Sequence, residues 1–167
     1  MYCFSISKYD PNLFVNKKYL LDDWTDYSDV GKIFNNQLLT LDIYCSVELN
    51  YINFIKDIVE FADVNAFFIG SLELYENVKW KNGQIIDVSQ LEQLIKDCLR
   101  NKCWCKIYND VLCFCFGYDF YLRLCIDTEK DNIEKIASKH LLYAKIADEI
   151  NTGNTGDGSL CSQEKDS

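Results

Sequence analysis

The spacing of apolar and polar residues predicts a strand at the start of the chain and a long helix after it. Residues 2–9 alternate as a strand does, and the Asp10-Pro11 step ends the alternation. After a turn-rich stretch, apolar residues recur at helical spacing from the N-cap Thr40 through residues 41–62, which predicts an amphipathic helix. The run AFFIGSLEL that follows predicts a buried strand.

The middle of the chain carries two local signals. Asn82-Gly83 lies between short alternating runs, which favours a β-hairpin at that point. Ser89, with Glu92 three residues later, has the form of a capping box and predicts the start of a second helix. We therefore expect a turn between two neighbouring strands, followed directly by a helix.

The last third of the chain predicts three more strands and a third helix. Short apolar runs separated by turn residues favour strands near 103–108, 111–117 and 120–127. Acidic residues just after Thr128 are typical of a first helical turn, and they predict a helix that continues to Ile150. The three strands follow one another closely enough to form an antiparallel meander.

These elements predict one α+β domain over residues 1–150. We expect a mixed or antiparallel sheet, with the three-stranded meander towards its C-terminal end, packed by about three helices. Residues 12–39 show no regular period and are expected to be irregular. Residues 151–167 are rich in Gly and Ser and predict a flexible polar tail, because so few apolar groups cannot offset the entropy of ordering the chain.

Cysteine is concentrated in the predicted meander. Residues 103–126 hold five of the nine cysteines, and four of these form two Cys-x-Cys pairs. Residues two apart in a strand lie on the same face, so Cys103 and Cys105 share a face, as do Cys113 and Cys115. A structural zinc site would need all four thiolates on one side of the sheet.

The loop between the first two strands of the meander decides whether that happens. A two-residue loop at Asn109-Asp110 sets Cys105 opposite Phe114 and puts the two cysteine pairs on opposite faces, so no ion is shared. A loop of odd length with a bulge would bring the four sulfurs together and leave a thiolate-metal site open. The apolar pattern favours the first arrangement, and we expect no metal and no cofactor.

Most of the cysteines are expected to be reduced and to pack in the interior as small apolar residues, without a reactive role. An odd number of cysteines cannot all form disulfides. The chain shows no signal peptide and no long apolar run, so we expect it in the cytoplasm. Thiols stay reduced in that compartment, and a free cysteine then behaves as a small apolar residue. A rival hypothesis is an enzyme that uses Cys105 or Cys115 with His140 as its base. No catalytic signature surrounds these residues, so we expect no enzymatic activity.

Charge narrows the choice of partner. The chain has 26 acidic and 17 basic residues, which gives a net charge of −9 and a pI near 4.6. This balance disfavours binding to nucleic acid and to anionic membranes. Seven acids against one base lie in residues 42–76, and four aspartates lie in residues 22–29. These acids could form a solvated surface, a carboxylate site for a metal or for sugar hydrolysis, or a docking surface for a basic protein.

Several stretches resemble a family of small bacterial immunity proteins, which neutralise polymorphic or contact-dependent growth-inhibition toxins. The matching stretches read ISKYDP, DDWTDYSDVGK, LTLDIYCSVELNYINFI, NGQIIDVSQLEQLI and CWCKIYNDVLCFCFGYDFYLRL, in the order expected for the family, over residues 4–126. The cysteine content departs from the family pattern, and the last helix and the tail match no motif. The resemblance implies a protein that is not an enzyme and that blocks a cognate toxin.

Charge and resemblance together predict an acidic, aromatic surface that binds one basic toxin domain, such as a nuclease, in a 1:1 complex. An adaptor with an acidic docking face is the alternative. The residues expected to contact the partner are Asp22, Asp23, Trp24, Asp26, Tyr27, Asp29, Glu48, Asp57, Glu60, Asp63, Tyr118 and Asp119.

Overall fold

A computed structural model describes residues 1–149, and it confirms the α+β class. The described helices are α1 (Leu41–Phe61), α2 (Val88–Leu99) and α3 (Lys130–Lys139). The strands are β1 (Tyr2–Ser7), β2 (Phe14–Val15), β3 (Lys18–Tyr19), β4 (Ile33–Phe34), β5 (Gln37–Leu38), β6 (Ala66–Leu74), β7 (Ile85–Asp87), β8 (Cys103–Tyr108), β9 (Leu112–Phe116), β10 (Leu122–Ile126) and β11 (Tyr143–Glu149). The polar tail predicted for residues 151–167 lies outside the described residues.

Seven of the strands form one sheet in the order β11-β1-β10-β9-β8-β6-β7, and every pairing is antiparallel. The predicted meander is present as β8, β9 and β10. Residues of all three helices pack with one face of this sheet into a single buried core. The opposite face carries a smaller cluster of cysteines and aromatic residues, to which no helix of the described part contributes.

The first helix follows the sequence prediction closely. The Thr40 hydroxyl accepts a hydrogen bond from the Ile43 backbone N–H at 3.3 Å, as expected of an N-cap. The 21-residue helix buries one stripe, which includes Tyr44, Tyr51 and Ile55. It ends where Asp63 takes a positive φ of 51°, a conformation that aspartate tolerates better than most residues.

The hairpin prediction is right about the turn and the strand after it, and wrong about the strand before it. Asn82-Gly83 forms a tight turn, in which Gly83 has φ of 77°. The strand after the turn pairs with β6, and residues 77–81 before the turn form no strand. The physical reason is the core: β6 offers Ile69 as a backbone partner to residues 83 and 84, and this pairing turns Ile86 into the buried interior.

The second helix begins two residues earlier than predicted. Asp87 is the N-cap, and its side chain accepts from the Ser89 N–H at 2.8 Å while Gln90 completes the capping box. The expected box of Ser89 with Glu92 is therefore wrong. Glu92 instead accepts hydrogen bonds from Lys56 of α1 and Lys96 of α2.

The long third helix predicted to reach residue 150 is wrong. The helix stops at Lys139, and Leu141 takes a positive φ of 56° while the Leu142 N–H donates to the Ala137 carbonyl. The chain then forms β11, which pairs with β1 at the edge of the sheet. Free backbone groups along β1 provide hydrogen bonds that the local helical pattern cannot reveal, and Leu142 enters the core.

The stretch expected to be irregular contains two small hairpins, β2-β3 and β4-β5. Each turns through two residues with positive φ, Asn16-Lys17 in the first hairpin and Asn35-Asn36 in the second. This backbone is that of the type I′ turn, for which asparagine is a favoured residue. The asparagines were a usable signal, but the flanking strands are only two residues long.

Candidate functional site

A cleft of about 510 Å³ opens between the loop before α1, the end of α2 and the β9-β10 turn. We call it the acidic cleft. It is lined by Thr25, Asp26, Glu73, Tyr75, Cys98, Leu99, Asn101, Cys103, Trp104, Phe116, Gly117, Tyr118, Asp119 and Phe120. The lining holds three carboxylates, and neither lysine nor arginine is among these residues. Its chemistry therefore suits a cationic group that also offers apolar surface.

The β9-β10 turn presents two of the predicted contact residues at the rim of the cleft. The Tyr121 N–H donates to the Tyr118 carbonyl at 3.1 Å, and the central residues Asp119 and Phe120 have φ of 56° and 63°. Such a turn ordinarily carries asparagine and glycine, so a phenylalanine here is strained by about 1–2 kcal/mol. The geometry leaves Tyr118 91 % exposed and Asp119 exposed.

Packing of the Phe120 ring explains why the strained turn persists. Phe120 is 5 % exposed and contacts the rings of Trp24, Tyr44 and Tyr51 with centroid distances of 5.0 to 5.6 Å. The Tyr51 hydroxyl donates to the Phe120 carbonyl at 2.6 Å and accepts from the Lys8 N–H at 2.9 Å. Tertiary contacts thus hold the turn in a conformation that its own sequence disfavours.

The loop on the other side of the cleft is held by its own aspartates. Asp29 accepts hydrogen bonds from the backbone N–H groups of Thr25 and Asp26. It also forms an ion pair with Lys32 at 2.8 Å. Burial alone would raise the pKa of Asp29, but the bonds from Lys32 and Thr25 hold it below its ordinary value. The carboxylate of Asp26 accepts from the Asn101 amide, which ties the loop to the end of α2.

Two cleft residues, Glu73 and Tyr75, were not among the sequence-predicted contacts. A β-bulge in β6, where Ser71 has φ of 51°, shifts the register and sets Glu73 opposite Trp104 of β8. The Tyr75 hydroxyl donates to Glu73 at 3.0 Å, and both side chains are exposed. Burial and the nearby Glu73 carboxylate raise the pKa of Tyr75. No local pattern in the sequence predicts the bulge.

The structure brings together only some of the twelve predicted contact residues. Asp26, Tyr118 and Asp119 line the acidic cleft. Asp22 and Asp23 line a separate hollow of about 110 Å³. Tyr27 is half-buried against the ring of Tyr44 at 4.9 Å and lies near the Arg100 guanidinium.

Three further predicted contact residues, Trp24, Glu48 and Asp23, also have structural partners within the chain. Trp24 is 6 % exposed and Glu48 is 2 % exposed, so both belong to the interior. Glu48 receives two hydrogen bonds from Arg100, at 2.7 and 2.8 Å. Asp23 pairs at 2.6 Å with Lys8, whose side chain is only 8 % exposed and lies over the Trp24 ring. Burial lowers the pKa of Lys8, although Asp23 acts in the opposite direction.

The remaining acids lie at the far end of α1. Asp57 accepts from Lys139 and from the His140 ring, each at 2.7 Å. The hydrogen bond from Lys139 is the main cause of the lowered pKa of Asp57. Glu60 and Asp63 are exposed. Because a helix rises 1.5 Å per residue, Glu60 lies about 24 Å along the axis from Tyr44, which adjoins the cleft.

The two Cys-x-Cys pairs lie on opposite faces of the sheet, as the alternation predicted. Cys103 and Cys105 join the helix-covered core, whereas Cys113 and Cys115 lie on the opposite face. The register differs by two residues from the prediction: Ile107 lies opposite Phe114. Asn109 caps the turn by accepting from two backbone N–H groups beyond it, which moves the loop one residue onward. A shift of two residues leaves every side chain on its predicted face.

The expectation of reduced cysteines, made for most of the nine, does not hold for Cys3 and Cys125, which form a disulfide. They are direct neighbours across β1 and β10, although 122 residues separate them in sequence. Over residues 1–149, no group of three or more His, Cys, Asp or Glu side chains could hold a metal ion. None of the three described helices combines the length and the apolar content needed to cross a bilayer.

Searches of family models, curated proteins and solved structures found no match to this chain.

Proposed function

We propose that this chain is an immunity protein that binds one basic toxin domain through the acidic cleft and blocks the toxin's active site or substrate path. The observation that carries the proposal is the cleft itself, with three carboxylates, no basic lining residue and the 91 % exposed ring of Tyr118 at its rim. Aromatic anchors in such a surround are typical of tight interfaces. The sequence resemblance supports the same role.

A nuclease is the class of toxin that this surface suits best. Its active site attracts phosphate, so it also attracts carboxylates placed at similar spacing, and a bound acidic surface would exclude the nucleic acid. Asp26, Glu73 and Asp119 supply the charge, while Tyr75 and Tyr118 supply exposed ring surface. The chain acts in this proposal as a binding protein that transforms no substrate.

The test compares two matched pairs of neutralising substitutions. The cleft pair is Glu73→Gln with Asp119→Asn, and the control pair is Glu60→Gln with Asp63→Asn. Each pair removes two exposed charges, and each includes one aspartate with positive φ replaced by asparagine, which tolerates that backbone equally well. Any difference between the pairs therefore reports position rather than net charge.

The partner for this test is the protein captured by co-purification from the native host with the neighbouring gene expressed, and the proposal expects it to be a basic toxin domain. We expect the cleft pair to slow association about threefold to tenfold at low salt and the control pair to change it less than twofold. Tyr118→Ala should speed dissociation about tenfold or more. A cleft pair that binds and protects cells as well as the parent would exclude the cleft as the interface.

An adaptor that docks a basic partner on the same cleft is the alternative from another class. An adaptor would co-purify with its partner but would not rescue cells that express the toxin. The rival hypothesis of an enzyme is tested by His140→Ala, which removes the proposed base. The His140 ring is hydrogen-bonded to Asp57 at 2.7 Å. An unchanged protective activity in that variant argues for binding alone.

A further inference from the structure

The thiol of Cys98 contacts two other thiols, those of Cys103 and Cys105, beside the acidic cleft. Cys98 lies in the last turn of α2 and Cys103 opens β8, and the short connection between them brings their sulfurs to 3.9 Å. The sulfur of Cys105, two residues further along the same face of β8, lies 3.7 Å from that of Cys98. None of these three cysteines is in a disulfide.

Two of the three thiols form part of the cleft wall. Cys98 and Cys103 are lining residues, with residual exposures of 6 % and 1 %, whereas Cys105 is fully buried behind them. A small reagent that enters the cleft therefore meets Cys98 and Cys103 together. Cys113 and Cys115, two residues apart on β9, lie on the opposite face of the sheet.

Hydrogen bonding shifts the pKa values of the two cleft thiols in opposite directions. The bond from Cys98 lowers the pKa of Cys103, and the same contacts with Cys103 and Cys105 raise the pKa of Cys98. A thiolate is the nucleophilic and metal-binding form of cysteine. The thiol of Cys103 therefore ionises more readily than that of Cys98, and the two sulfurs lie 3.9 Å apart.

We propose that Cys98 and Cys103 form a dithiol site that binds a thiophilic group able to bond two sulfurs at once, such as trivalent arsenic. An atom that bonds sulfur at about 2.3 Å, the length known for zinc, can bridge sulfurs up to ~4.6 Å apart, and the observed separation of 3.9 Å lies within that span. A two-sulfur ligand also agrees with the finding that residues 1–149 contain no metal-binding group of three or more side chains. This site does not depend on the proposed function.

The chemistry is a condensation and needs no oxidant. With phenylarsine oxide as the probe, each sulfur forms one bond to arsenic, and the As–O bond breaks. The oxygen leaves as water with the two thiol protons, and the oxidation states of sulfur and arsenic are unchanged. The adduct therefore has the mass of the protein plus the reagent minus one water.

The first experiment uses the full chain with its native cysteines. Phenylarsine oxide is added at one equivalent to the folded protein, the intact mass is measured, and the thiols left unblocked are then alkylated in denaturant and located by peptide mass spectrometry. We expect a 1:1 adduct in which Cys98 and Cys103 are protected from alkylation. Absence of an adduct, or protection of Cys113 and Cys115 in their place, would overturn the proposal.

Variants provide an independent measure of affinity. Cys98→Ala and Cys103→Ala should each weaken arsenical binding at least tenfold. The first removes the sulfur common to both close contacts, and the second leaves Cys98 with only Cys105, which is fully buried and does not line the cleft. Cys45→Ala is the control, since Cys45 is a half-buried cysteine outside any disulfide that lies on α1, away from the cleft lining. If Cys103→Ala binds within twofold of the parent, the proposal is wrong. If a variant does not fold, the protection pattern of the native chain decides.

Discussion

The two ends of α1 carry acidic residues in similar numbers but use them in different ways. At the N-terminal end, Glu48 is buried in a two-point ion pair with Arg100, next to the aromatic cluster that includes Tyr44. At the C-terminal end, Asp57 lies in partly exposed ion pairs, and Glu60 projects into solvent. The difference is one of surroundings, because the helix itself is continuous from Leu41 to Phe61.

This difference teaches that local acid density is a poor guide to a binding surface. The first end of α1 meets the loop with Trp24 and the strained β9-β10 turn, so its polar groups must be paired to be buried. The second end meets α2 and α3 through lysine side chains, where water screens the charges. The acidic cleft takes its charge from neither end but from loops and from β6.

The largest expected effect comes from the aromatic cluster at the N-terminal end. Phe120→Ala removes a ring that is 5 % exposed and contacts three other rings, so we expect a loss of about 3–5 kcal/mol in the free energy of unfolding. Urea unfolding followed by circular dichroism measures it. The control is Phe68→Ala, on the helix-free face and 41 % exposed, which should cost less than about 1.5 kcal/mol. Equal losses would contradict the assigned importance of the cluster.

A smaller effect separates the two kinds of ion pair. Arg100→Met leaves the Glu48 carboxylate, whose side chain is 3 % exposed, without its cation, and we expect a loss of about 3 kcal/mol. Lys139→Met removes a partner of Asp57 that is itself 66 % exposed, and the loss should stay below about 1 kcal/mol. The two variants are compared by urea unfolding at neutral pH. A costlier Lys139→Met would reverse the contrast between the ends of α1.

The smallest expected effect is a pH dependence of the free energy of unfolding, caused by Glu92 of α2, which pairs with Lys56 near the C-terminal end of α1. Hydrogen bonds from Lys56 and Lys96 lower the pKa of Glu92 from 4.5 to about 2. A carboxylate with a lowered pKa in the folded state stabilises the fold above the unfolded value, and this contribution is lost as the pH falls from about 4.5 towards 2. Because Glu92 is 38 % exposed, water screens the pair and the contribution is under about 1 kcal/mol.

The measurement compares the parent with Glu92→Gln across that window. The variant should be less stable at pH 6, and the two unfolding free energies should converge near pH 2. Other acids with lowered pKa values, such as Asp57 and Asp29, affect both proteins equally and cancel in the difference. A constant difference at all pH values would show that Glu92 acts through packing rather than charge.

Much of the fold could be predicted from the sequence because it depends on local periodicity. Thr40 caps α1, the meander strands lie where the apolar runs are, and the Cys-x-Cys pairs lie on opposite faces as a period of two requires. The candidate site could be predicted only in part. Asp26, Tyr118 and Asp119 were named, whereas Glu73 reaches the cleft through a bulge that no pattern announces.

The sequence by itself determined which residues alternate, which recur with helical period and where the Asn82-Gly83 turn lies, because these follow from steric limits on a few neighbouring residues. Only the tertiary structure decided that residues 143–149 form a strand, that Cys3 bonds Cys125, and that Phe120 occupies a strained turn. Each of these depends on a partner far along the chain. Hydrogen bonds to β1 and burial among distant rings outweigh the local preference, and no short window of sequence contains both partners.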